Sequence, residues 1–166
     1  MALKSIPAAF VALLLTATTA QAERAKSGTD KPDARDSAAI QDCIKSAAEP
    51  RQMERCIGIV ADPCADRDDA KSTADQVACG AREHAVWDDI LNETFRRLRD
   101  KLDAKQKIKL RDMQRAWVDS RDRTCAFYWD YFQGTIASPM SAFCNNRETA
   151  GRALFLLGFL NDAEGR

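Results

Sequence analysis

The chain has 166 residues, with 25 basic and 25 acidic side chains and a single histidine, so its formal net charge is zero. That balance excludes the strongly basic signature of a general nucleic-acid binder, and no nucleic-acid partner is expected. The length is enough for one domain with a real core and too short to expect two.

Residues 1–22 have the three parts of a cleavable secretory signal. Lys4 supplies the positive start, Ile6 to Leu15 the apolar core, and Ala20-Gln21-Ala22 the small-residue site, with cleavage between Ala22 and Glu23. The apolar run falls well short of the roughly 18 to 20 residues that cross a bilayer, so no stable membrane insertion is expected. No cysteine follows the cleavage site, which removes the usual position for a lipid anchor. The product is expected to be periplasmic or secreted, and losing Lys4 leaves it with a net charge of −1.

Residues 23–36 are rich in Lys, Asp, Gly, Ser and Pro without apolar periodicity and read as a flexible leader to a single helical domain over residues 37–166. A first helix is predicted from Asp36 to Ala48, with Ala39, Ile40, Cys43 and Ile44 on one face. A short second helix starts at Pro50, carries Met53, Cys56, Ile57 and Val60 inward, and ends at Pro63. Cys64 to Lys71 reads as an acidic loop. Ser72-Thr73 then precede the strongest helical pattern, in which Val77, Trp87, Leu91, Phe95, Leu98 and Leu102 recur at helical spacing.

Asp103-Ala104-Lys105 is a turn, and Leu110, Met113 and Trp117 open a second long helix running through Cys125 to Tyr128. Gly134 breaks the pattern. Ser138 as N-cap with Pro139 in the first helical position starts a final helix bearing Met140, Phe143, Ala153, Leu156, Leu157 and Leu160. No segment shows the period of a strand. The fold class is therefore all-α: an antiparallel three-helix core with an N-terminal helical hairpin, stapled by disulfides.

The six cysteines are Cys43, Cys56, Cys64, Cys79, Cys125 and Cys144. An even number in an oxidising compartment implies three bridges. Zinc sites favour close pairs such as C-x2-C, which are absent, so no metal is expected. The 15 possible pairings stay open. Sequential pairing closes short loops, and Cys125 with Cys144, bracketing the Gly134 turn, is the pair that the spacing favours most. Each bridge should contribute about 3 kcal/mol.

Catalytic patterns are thin. His84 sits beside the apolar stripe of a helix, no nucleophile elbow or zincin motif is present, and Asp119 with Asp122 is a spacing that helix surfaces offer constantly. No Gly-rich phosphate loop occurs, so neither enzyme activity nor a cofactor is expected. The acidic run Asp62, Asp66, Asp68, Asp69 and Asp75 and the basic stretch from Arg96 to Arg123 read as solvated surface. Two groups stand out. Asp88 and Asn92 on one long helix could meet Gln114, Trp117, Arg121 and Asp122 on the next, as a satisfied polar layer with Arg121 paired to Asp88 or Asp122, or as a surface that grips a partner. The run Phe127-Tyr128-Trp129-Asp130-Tyr131-Phe132 has too many rings for one buried face. It is either a helix end wrapped by the Gly134 to Pro139 loop or a surface that presents Tyr128, Trp129 and Tyr131 to a partner.

Trp87-Asp88-x-x-Leu91-Asn92, Leu98, Leu102, Leu110, Gln114-x-x-Trp117, Arg121-Asp122-x-x-Cys125, Gly134, Cys144 and Thr149-x-x-Arg152 together resemble the LprI-type, lysozyme-inhibitor-like family of bacterial envelope proteins, over about residues 79–160. The resemblance implies a small exported helical protein that binds a lysozyme-like muramidase and shields peptidoglycan. It supplies no catalytic or inhibitory residue. The alternative function is a periplasmic structural or adaptor protein that docks an envelope partner through the aromatic run.

Overall fold

A computed structural model describes residues 32–165. The signal sequence and all but the end of the leader lie outside the described residues. Among those described there are five α-helices, one 3-10 helix and no strand.

Helix α1 spans Ala34–Ser46, two residues ahead of the expected start, because Asp33 is the better cap: its side chain accepts from the backbone N–H groups of Arg35 and Asp36. The leader boundary at residue 36 is corrected accordingly. Buried Asp36 then receives the Arg82 guanidinium, with Nη2 to Oδ1 at 2.6 Å.

The single second helix expected between Pro50 and Pro63 is instead two pieces. A 3-10 helix, Pro50–Cys56, is followed by a turn and then by α2, Ala61–Ala65. Gly58 causes the break, with φ of +94°. A Cβ there would also lie 2.3 Å from Asp62 Oδ2. Pro63 does not end a helix. It sits in the first turn of α2, where its missing N–H costs nothing, and the acidic loop starts at Asp66 rather than Cys64.

Helix α3, Thr73–Lys101, is held at its start by a reciprocal capping box between Ser72 and Asp75. It buries Cys79, Val86, Trp87, Leu91 and Leu98. The predicted turn is tighter than Asp103–Lys105, because Asp103 is itself the cap of α4, Ala104–Tyr131, in a second capping box with Gln106. Gly134, at φ of +87°, turns the chain into α5, Ala137–Glu164. Ser138 is not its N-cap, and Pro139 follows inside the first turn.

The register of contacts sets the helix directions. Glu83 meets Asn146 and Arg97 meets Glu164, so α3 and α5 run parallel. Arg152 meets Gln114 and Cys144 meets Cys125, so α4 runs antiparallel to both. The parallel α3–α5 pair is the most extensive interface, and α4 docks chiefly on α5. Ile40, Cys56, Val86, Trp87, Leu91, Leu98, Ala150, Leu156 and Leu160 form one core. The three bridges are Cys43–Cys56, Cys64–Cys79 and Cys125–Cys144, which is the sequential pairing.

Candidate functional site

At the centre of the molecule is a side chain that sequence reasoning passed over. Glu83 is fully buried on the apolar face of α3. One carboxylate oxygen accepts from the Gly58 N–H at 2.7 Å, the Trp87 indole at 2.9 Å and the Asn146 amide at 3.0 Å; the other accepts from the N–H groups of Val60 at 2.8 Å and Ala61 at 2.7 Å. Burial pushes its pKa up, but the donors together outweigh burial and hold it below the usual carboxylate range. The Glu83 carboxylate thus fastens the Gly58 turn and the start of α2 to α3 and α5. A glutamate four residues before Trp87 in an otherwise apolar stripe was the available signal.

The residues expected to form one polar layer separate into two groups. Asn92 donates to Asp88 at 2.9 Å on the α3 surface. Across the α4–α5 seam, Arg121 pairs with Asp122 at 2.7 Å rather than with Asp88, and its Nη1 reaches Thr149 Oγ1 at 3.5 Å. Gln114 accepts from Arg152 Nε at 2.9 Å. Trp117 is flanked by two guanidiniums, with its ring centre 5.1 Å from Arg121 Cζ and 5.6 Å from Arg152 Cζ.

His84 Nε2 lies 3.2 Å from Thr149 Oγ1. The pair has nucleophile–base spacing, but Thr149 is fully buried, so no substrate can approach its hydroxyl. Burial holds the His84 pKa below its ordinary value, with Arg121 adding to this and Asp88 opposing it. Unfolding therefore takes up a proton as pH falls below the unfolded value of 6.5. The urea midpoint should be lower at pH 5.5 than at pH 7.5, and His84→Gln should flatten that difference. A wild-type midpoint that rises on acidification would mean a charged, paired imidazole.

At the far end of α4 the rings are arranged on a rigid corner closed by Cys125–Cys144. Phe127, Trp129 and Tyr131 are 60%, 56% and 68% exposed. Tyr128 is half-buried and stacked on Phe132, with ring centres 5.9 Å apart. Ile136 and Met140 add exposed apolar surface beside the turn. Among the described residues no cluster of His, Cys, Asp and Glu could hold a metal, and no helix is long and apolar enough to cross a membrane.

Compared with known families, the chain matches the family model described as "Lysozyme inhibitor LprI" over residues 64–156, more than half of its length. It starts further toward the N-terminus than the motif pattern, at Cys64, and so takes in the Cys64–Cys79 bridge, α3, α4 and most of α5. No curated protein and no solved structure matches.

Proposed function

Starting from the chain's membership of the LprI lysozyme inhibitor family, we propose that it is an exported, non-enzymatic protein that binds a lysozyme-like muramidase and thereby protects peptidoglycan. The family match carries this reading. Support from the chain itself comes from the three disulfides, which suit an oxidising compartment, and from the signal-like residues 1–22. The contact surface is the aromatic end of α4. Exposed Trp129, Tyr131 and Phe127 supply large rigid anchors at low entropic cost, and the Cys125–Cys144 bridge holds them in place before binding. Local pairing offsets part of the charge with which the acidic loop could attract a basic enzyme. Asp69 is matched by Arg67 at 2.6 Å and Asp68 by Lys71 at 3.6 Å.

Purified protein lacking residues 1–22 should slow lysis of a lysozyme-sensitive bacterial suspension. Trp129→Ala, with an unchanged circular dichroism spectrum, should weaken that inhibition by about 30-fold, as for a hot-spot ring. No slowing at large molar excess over several lysozyme types would defeat the reading. If Trp129→Ala instead released an endogenous envelope protein in a pull-down, the same surface would be that of an adaptor.

A further inference from the structure

The α4–α5 seam contains a charge that the fold leaves without an answering acid. Arg152 is 9% exposed. Among the described residues its one hydrogen bond goes to the neutral Gln114 amide, and its buried Nη2 has no hydrogen-bond partner. Removing a guanidinium from water without a carboxylate partner is costly, and a fold that only needed to fill this space would place an apolar side chain here.

The surroundings form a shallow, open depression. Arg152 lines a concavity of about 350 Å³ together with Trp117, Arg147, Glu148, Gly151 and Phe155. The Trp117 and Phe155 rings lie 5.6 and 5.1 Å from Arg152 Cζ and form aromatic walls. At Gly151 a Cβ would meet nothing within 4 Å, so the wall is open there. Arg147 is exposed and makes no ion pair among the described residues, and Arg121 approaches the same Trp117 ring. Glu148 is the only acid in the lining. Arg121 is already answered by Asp122, and Arg147 acts on Asp62 as well as standing beside Glu148, which leaves Arg152 as the cation here with no acid paired to it among the described residues.

We propose that this concavity is a binding site for a single carboxylate borne on an apolar carrier, such as the free carboxylate of an N-acyl amino acid or a short peptide. Arg152 Nε is taken by Gln114 and its Nη2 is sealed from solvent, so its Nη1 is the donor offered to a carboxylate; the exposed Arg147 guanidinium adds a second, and the two rings cover the carrier. A doubly charged phosphate is disfavoured by Glu148 at the rim. This site is separate from the exposed aromatic end of α4, and the proposal stands whether or not a muramidase is bound.

The test is a titration of the oxidised, nitrogen-15-labelled protein with N-acetylleucine, following the Trp117 indole and Arg152 Nε–H signals by NMR. The uncharged N-acetylleucinamide and inorganic phosphate serve as comparisons. Saturable shifts of both signals are expected with the acid and not with the amide. Arg152→Lys, which keeps the charge and loses the planar group lying against Trp117 and Phe155, should weaken binding about tenfold. Arg147→Ala, an exposed change that leaves the core intact, should also weaken it. Equal responses to acid and amide, a stronger response to phosphate, no response at millimolar acid, or unchanged affinity in both variants would each overturn the proposal.

Discussion

Glu83→Ala should cost about 3–5 kcal/mol of folding stability, the largest effect of any single substitution considered for this protein. Five donors converge on that carboxylate, and three of them are backbone N–H groups at Gly58, Val60 and Ala61 that have no alternative acceptor once the side chain is gone. A domain of this size has about 5–15 kcal/mol in total, so the variant should unfold at markedly lower urea concentration. Amide exchange at residues 58–61 should quicken more than in the middle of α3. Glu83→Gln keeps one acceptor but turns an amide donor toward other donors, and should lose about 2 kcal/mol. The same carboxylate makes the fold acid-sensitive: its pKa is depressed in the folded state, so its contribution is complete above the unfolded value of 4.5 and is lost as pH falls below it. A loss under 1 kcal/mol for Glu83→Ala would show that water replaces the carboxylate without penalty.

Changing Cys125 and Cys144 together to serine should cost about 3 kcal/mol, the loop-closure value for a separation of 19 residues. The functional cost should be larger than for the bridges elsewhere. This one joins the last turns of α4 to the first of α5, the corner from which Trp129 and Tyr131 project. Without it the corner can splay, and the rings must be ordered on binding instead of beforehand. Inhibition of lysis should therefore fall several-fold more in this variant than in the Cys43/Cys56 pair of serines, when both are assayed well below their melting temperatures. Equal losses would place the contact surface elsewhere.

The helices were legible in the sequence because their apolar residues recur at helical spacing and their starts carry strong caps, Ser72 and Asp103. Where the local signals were ambiguous the boundaries moved. Proline fits the first turn of a helix as well as the position after one, and at Pro63 and Pro139 the structure uses it inside the first turn. Which helices pair could not be read locally. Periodicity marks the buried face of α3 but not that its main neighbour is the parallel α5, roughly 65 residues later. The candidate site was half visible for the same reason. Gln114, Trp117 and Arg121 share one face of α4, whereas their partners Thr149 and Arg152 come from α5 and only packing brings them together. Glu83 escaped notice because a carboxylate in an apolar stripe is read as surface until the distant backbone donors are known.

The sequential bridges have a topological consequence. Each ring closes on the cysteine that comes next in the chain, so no ring encloses or threads another, and the oxidised unfolded chain is three small loops on an open string. As the polypeptide emerges from its N-terminus, each cysteine meets its own partner before any later one is available. None of the rings joins α3 to α5. The largest interface of the molecule is therefore held by non-covalent contacts alone, and the covalent links constrain the corners while leaving that interface free to open reversibly.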